Sequence, residues 1–347
     1  MSNSTHWISP SNIAIIKYWG KLPDQIPMNT SFSFTLSESK TNTSVFWSEK
    51  SKESDQRFSL LFEGRSQPDF EPKIKMFLQT LDKHLPWLKK WFLEIHSSNT
   101  FPHSSGIASS ASAMSALALC IGTFEKNLIS EIEVSQQLFL QRCSWFARMG
   151  SGSACRSVFP FASLWGQHIG LAESSNEFGV PMEQLLHGDF KTLCDYIFIV
   201  NAGEKSVSST AGHALMDHHF FRDGRIAQAE HHLKQLMPAL QSGDWPTFIA
   251  ICESEALSLH GLMMSSQPAY VLLQADSLRI LHEIQSLRKS TMLPVCFTID
   301  AGPNIHMLFP ESCKPQVESW LAEKFSDYLT QGRLLRDKAG AGPICLI

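Results

Sequence analysis

The chain has 347 residues, a formal net charge of −4, a pI near 6.4 and a hydrophobic fraction of 43%, enough apolar material for a substantial core in about two domains or one large two-lobed unit. Charged residues make up only 18% and no block of like charges occurs, which argues against long disordered tails and a dedicated nucleic-acid-binding surface. The start, Met1 to Asn12, has no basic stretch leading into an apolar one and no small-residue cleavage pattern, so the expected location is cytoplasmic. Eight cysteines without CxxC spacing read as small core hydrophobes in a reducing compartment.

In chain order, Asn12 to Ile16 reads as a strand that delivers Lys17, Tyr18, Trp19 and Lys21 into a loop. Ser31 to Leu36 alternates with period two, as does much of Thr43 to Trp47, which predicts a hairpin or meander. Ile74, Phe77, Leu78 and Leu81 fall at helical spacing. From His96 to Phe124 there is no Asp, Glu, Lys or Arg, yet serines crowd the segment and only Met114 to Ile121, Ser115 apart, is continuously apolar. A membrane span is therefore not expected, and Ser110 to Phe124 reads as an ordinary helix. Ser130 with Glu133 forms a capping box for a helix reaching about Met149. Tyr196 to Val200 and Val295 to Ile299 read as buried strands. Arg225 to Met237, stopped by Pro238, and Gln316 to Tyr328, just after Pro315, read as helices. The stretch from Gln167 to Gly188 commits to neither period. Placing the boundary there gives an N-terminal lobe of residues 1–180 and a C-terminal lobe of residues 181–347.

Four segments carry chemistry. Phe101 to Ser112 places Ser105, Gly106, Ser109 and Ser110 directly before a helix start, whose unpaired N–H groups and positive dipole end suit a phosphate; the plain alternative is a Ser-capped helix after a loop. It is not a Walker A loop, because no GxxxxGK[ST] occurs. Ser151-Gly-Ser-Ala-Cys-Arg156 joins turn amides and hydroxyls to a guanidinium, a receptor for carboxylate or phosphate, or else a flexible turn with an exposed Arg. Lys17 to Lys21 sets two ammonium groups and a phenol at a strand end, which fits polyphosphate better than packing; the plain alternative is a strand end with solvated lysines. Asp300 ends a buried strand before Gly302-Pro303, so a carboxylate is held at a sheet edge as a base or orienting group, or caps a turn.

Together, Asn12-Ile-Ala-Ile-Ile-Lys-Tyr-Trp-Gly-Lys21, Pro27-Met-Asn29, the Pro102–Ser112 loop, the 151–156 segment, Val207-Ser-Ser-Thr210 and Asp300-Ala-Gly-Pro-Asn304 resemble, in order, the diphosphomevalonate decarboxylases of the GHMP kinase superfamily. The resemblance implies an α+β fold, with an N-terminal lobe like ribosomal protein S5 domain 2, a ferredoxin-like C-terminal lobe, and the site between them. It implies ATP-dependent decarboxylation of mevalonate 5-diphosphate to isopentenyl diphosphate with Mg²⁺, and a homodimer. Carried over residue by residue, Ser105, Gly106, Ser109 and Ser110 cradle ATP. Tyr18, Trp19, Gly20 and Lys21 hold the substrate diphosphate with Ser209 and Thr210, and Ser151, Gly152, Ser153, Ala154, Cys155 and Arg156 bind near its carboxylate. Asp300 orients or deprotonates the C3 hydroxyl, Lys17 stabilises the developing charge, and Arg156 helps to hold the substrate for the chemistry. The loop reads Pro-His103-Ser-Ser-Gly106 where many members have Pro-Thr-Ala-Ala-Gly, and Thr210 stands where certain bacterial members carry Arg.

The alternatives are a decarboxylase of the monophosphate, a kinase of mevalonate, and a member that binds a metabolite without turnover. His218, His219, His231 and His232 lack a usual zinc spacing, and the nine Trp and 23 Phe, with no basic stripe beside them, read as core.

Overall fold

Two sheets organise the chain in a computed structural model, which describes residues 3–51, 53, 55–102, 107–128, 135–201, 203 and 209–346, with the side chains of Ser209 and Thr210 left outside that description. The first sheet contains β1 (Ser4–Ile16), β2 (Ser31–Glu49), β3 (Phe58–Phe62), β4 (Arg65–Ser66), β5 (Trp91–Asn99), β6 (Ala162–Trp165) and β7 (Val180–Pro181). Helices α1 (Glu71–Leu81), α2 (Ser109–Leu128) and α3 (Gln136–Gly150) belong to the same lobe. After a short α4 (Gly188–Lys191) the second sheet begins with β8 (Cys194–Phe198) and continues with β9 (Cys296–Thr298), β10 (Ile305–Phe309) and β11 (Leu334–Lys338). Between β8 and β9 run α5 (Ser209–Ala214), α6 (Arg222–Ser242), α7 (Trp245–Met264) and α8 (Ala275–Thr291), and α9 (Lys314–Lys324) with α10 (Ser326–Thr330) precede β11. The chain then returns to the first sheet, where β12 (Ile344–Cys345) pairs with β1.

The second sheet has the order β11-β8-β10-β9 with every neighbouring pair antiparallel. A strand inserted between the two ends of a β–helix–β unit is the split βαβ arrangement, as the ferredoxin-like expectation requires. Apolar side chains fix where the layers meet. Trp47, Leu93 and Ile95 from the first sheet pack with Leu117, Ile121 and Phe124 of α2, the Trp47 and Phe124 rings stacking at 4.0 Å. Ile280, Ile284 and Leu321 cover Phe297 and Met307 of the second sheet. A third cluster joins the lobes, since Ile13, Phe32 and Phe34 share it with Leu233, Phe248 and Leu308. Seven of the cysteines are buried and Cys345 is exposed.

Several elements differ from the sequence expectation. Ser31–Leu36 and Thr43–Trp47 are not two strands of a hairpin but parts of the single 19-residue β2. No Gly or Pro interrupts the intervening residues, and at the bend the Asp337 carboxylate accepts the N–H groups of Ser37, Glu38 and Ser39, each at 2.8 Å. Across that bend the buried positions change from Phe32 and Phe34, facing the interlobe cluster, to Val45 and Trp47, facing α2. Pro238 does not stop α6, which runs on to Ser242 and ends at the left-handed Gly243 (φ 79°). The lost N–H is outweighed there by burial of Leu236, Ala239 and Leu240. The Gln316–Tyr328 helix is two, broken at Phe325. The Ser130–Glu133 capping box lies outside the described residues; α3 begins at Gln136, with Ser135 as the cap accepting the Leu138 N–H.

Candidate active site

The end of β1 delivers Lys17 into the seam between the lobes, where it is 1% exposed. Its Nζ donates to Asp300 Oδ1 at 2.7 Å, just beyond β9. The Lys17 peptide is gripped from both lobes: its N–H donates to Glu255 Oε2 at 2.8 Å and its carbonyl accepts from Arg225 (2.8 Å), both of the opposite lobe, and the carbonyl also accepts from Asn29 of its own lobe (2.9 Å). Arg225 places two further N–H bonds on the fully buried Glu255, at 2.7 and 2.6 Å, and His232 Nδ1 lies 2.7 Å from the same carboxylate. Burial pushes the Glu255 pKa up, but Arg225, His232 and the Lys17 amide outweigh it and hold the group at about 2. A charged pair on α6 and α7 therefore fixes where the Lys17 ammonium stands. Asp300 is held at its own peptide, with His260 Nε2 3.1 Å from its carbonyl oxygen.

In front of this pair opens a cavity of about 820 Å³. Asn12, Lys17, Tyr18, Lys21, Lys73, Ser110, Ser151, Ser153, Arg156, His213 and Asp300 are among its lining side chains. Arg156 decides its character. The guanidinium is buried, and its hydrogen bonds go to Ser33 Oγ (2.9 Å), Ser31 Oγ (2.6 Å) and Asn12 Oδ1 (3.3 Å), all neutral oxygens. Burial lowers its pKa. A buried cation among neutral partners at a cavity wall favours an anion there. Beside it the Tyr18 hydroxyl is buried with no partner among the described residues, its pKa raised by burial with Arg156 opposing. Gly152 makes this approach possible, because a Cβ there would fall 2.9 Å from the Tyr18 hydroxyl and 2.8 Å from Trp165.

The 17–21 turn depends on a second glycine. Gly20 adopts φ +89°, and a Cβ on it would meet Met28 Sδ at 2.5 Å. Lys21 Nζ donates to Gln25 at 3.1 Å and its pKa is lowered by burial. Trp19 is 5% exposed and packs on Met216, Leu259 and Met263, so its bulk shapes the wall. Across the cavity α2 begins at Ser109, and Ser110 donates to Ser151 Oγ at 3.2 Å. Lys73 of α1 is exposed as a residue but turns its ammonium into the cavity onto the Ser110 hydroxyl, and desolvation of that end of the side chain together with the Lys21 charge lowers its pKa to about 8.

Thus Lys17, Tyr18, Trp19, Lys21, Ser110, Ser151, Gly152, Ser153, Arg156 and Asp300 meet at one cavity. Ala154 and Cys155 do not line it; both are fully buried behind the turn. Ser105 and Gly106 lie outside the described residues, and Ser209 and Thr210 open α5 with only their backbone described.

The halves of the chain match known domains separately. A model of the diphosphomevalonate decarboxylase-like N-terminal domain matches residues 9–175, and one of the mevalonate 5-diphosphate decarboxylase C-terminal domain matches residues 196–340. The chain belongs to the diphosphomevalonate decarboxylase family. A curated relative, the diphosphomevalonate decarboxylase of Candida albicans, is 28% identical over 331 residues, 91% of this chain and 87% of that one. The solved complex of MDDEF with MVAPP, AMPPCP and magnesium has a TM-score of 0.83 at 29% identity, covering 99% of this chain and 98% of that chain. Mevalonate diphosphate decarboxylase from Staphylococcus aureus has a TM-score of 0.84 at 27% identity, covering 100% and 99%. The architecture is the GHMP kinase fold of these decarboxylases.

Within this diphosphomevalonate decarboxylase framework, sequence reasoning missed Lys73, His213 and the Arg225–Glu255 pair. Lys73 is one polar residue on a helix recognised only by its apolar face, and Arg225 and Glu255 lie 30 positions apart. His213 was within reach, three residues beyond the end of the Val207–Thr210 segment. Of the clustered histidines, His219 Nε2 lies 3.0 Å from the Leu262 carbonyl and His232 serves Glu255.

Proposed function

We propose that the chain catalyses ATP-dependent decarboxylation of mevalonate 5-diphosphate, releasing isopentenyl diphosphate, ADP, phosphate and CO₂. The observation that carries this reading is the ion pair of the buried Lys17 with the half-buried Asp300, 2.7 Å apart, beside a buried Arg156 whose hydrogen-bond partners among the described residues are all neutral. In this reading Arg156, with Ser151 and Ser153, receives the substrate carboxylate, and Tyr18, Gly20, Lys21, Ser209 and Thr210 hold the diphosphate. Ser109 and Ser110, at the start of α2, with Ser105 and Gly106, take the ATP phosphates. The lobes of residues 1–180 and 181–347 enclose both substrates.

Asp300 accepts the C3 hydroxyl proton as that oxygen attacks the γ-phosphorus, the bond from that phosphorus to the β–γ bridging oxygen breaks with its electron pair leaving on ADP, and Lys17 balances the charge on the attacking oxygen and the moving phosphoryl group. The C3–O bond then breaks with its electron pair leaving on phosphate. The carboxylate C–C pair becomes the new C=C bond and CO₂ departs. Fixed cations act strongly on this charge separation because Lys17 and Arg156 are themselves buried and held in place before the substrate arrives.

Mg²⁺ fits this cavity as an ion carried on phosphate. No group of three or more His, Cys, Asp or Glu side chains forms a cage among the described residues, and Ser110 and Ser151 offer adjoining hydroxyls at the helix start. They would hold the ion together with phosphate oxygens and water. When bound it supplies neutralisation of the polyphosphate charge.

Among the described residues no helix is long and apolar enough to cross a membrane. The resemblance extends the proposal to a cytoplasmic homodimer. The function is tested with Asp300→Asn and Lys17→Met. Each is expected to lower kcat by at least about 10³-fold while ATP still binds in equilibrium titration. Near-normal turnover in pure Asp300→Asn would remove that residue from the mechanism.

A further inference from the structure

His213 lines the cavity, and no role above accounts for it. Its ring centre lies 4.4 Å from that of Tyr18 and 4.6 Å from that of Trp19, and its Nδ1 accepts the Gly20 N–H at 2.9 Å. A ring nitrogen that accepts a backbone N–H carries no proton, so the proton of the neutral imidazole sits on Nε2. Burial, then the charge of Lys21, lowers the His213 pKa to about 3, so the ring stays neutral at working pH. The side chain is 8% exposed at the cavity wall. It also joins two parts of the proposed diphosphate subsite, since it rides on α5, three residues after Thr210, and holds the turn that carries Tyr18 and Lys21.

We infer that His213 is a substrate-positioning residue that donates through Nε2 to the substrate diphosphate while Nδ1 fixes the Gly20 amide. This rests on the function proposed above and names a specificity contact within it. A neutral donor suits the place, because it adds a hydrogen bond to phosphate without setting another full charge beside Lys21. A ring that only fills space between Tyr18 and Trp19 would need neither nitrogen.

The test separates the two nitrogens. His213→Asn keeps an acceptor near the Nδ1 position and loses the far donor, whereas His213→Gln places an amide N–H near the Nε2 position and loses the near acceptor. With the wild type turning over mevalonate 5-diphosphate in the same assay, Asn should raise KM for that substrate about tenfold or more. KM for ATP and the melting temperature should stay near wild type. Gln should keep KM within about threefold, and His213→Phe should raise it at least as much as Asn. An Asn variant with wild-type KM overturns the inference, as does a parallel rise in KM for ATP. If the wild type does not decarboxylate, the proposed function fails by itself. Calorimetric titration with inorganic pyrophosphate then decides the present point: about tenfold weaker binding to Asn than to wild type supports it, and equal binding overturns it.

Discussion

Lys17 can serve the chemistry because its neighbours spare it other duties. Glu255 and Arg225 satisfy its peptide, leaving the ammonium for Asp300. The buried groups around this arrangement make stability depend on pH in one direction. Burial is the largest cause of the lowered pKa of both His213, to about 3, and His260, to about 4. Since an unfolded histidine titrates near 6.5, the unfolded chain takes up protons first as the medium acidifies. Their contribution is complete above about pH 6.5 and is lost progressively down to about pH 4 and 3, at about 1.4 kcal/mol per pH unit for each group. Glu255, held at about 2 in the fold, acts in the same sense lower down, its contribution falling from about pH 4.5 to 2. Urea unfolding followed from about pH 7 to about pH 5 should show the midpoint falling steadily. A flat profile would mean that these histidines are hydrated in the native state.

Periodicity and turn residues placed most elements, and they failed where a tertiary contact replaced a local signal. Ser37 to Ser39 offers a bend with no Gly or Pro, and Asp337, some 300 residues away, helps to make it part of one strand by taking three N–H groups. Truncating that carboxylate leaves those amides without their acceptor while Asp337 itself is 3% exposed. Asp337→Ala should therefore cost about 3 kcal/mol, with Asp337→Asn intermediate. An Ala variant within about 0.5 kcal/mol of wild type would show that the bend is held by its strand partners alone. The run of α6 through Pro238 has the same origin, because packing of Leu236, Ala239 and Leu240 continues on both sides of the proline.

Across the whole molecule, the interlobe cluster around Phe34 and Phe248 brings strand ends from one lobe against helices of the other. That junction explains which parts of the site could be read in advance. Lys17, Arg156 and Asp300 stand in short segments whose residue types already announce anion binding and acid–base work. Lys73, His213 and the Arg225–Glu255 pair come into place only when α1, α5, α6 and α7 pack around those segments, and no local spacing encodes that. The proposed function is that this junction phosphorylates and then decarboxylates one substrate. It is tested most directly by giving the purified protein ATP, Mg²⁺ and, in parallel, mevalonate, its 5-phosphate or its 5-diphosphate, and counting ADP and CO₂ together. Equal release of both is expected, fastest with the 5-diphosphate. ADP without CO₂, or faster turnover of either less phosphorylated acid, would contradict it.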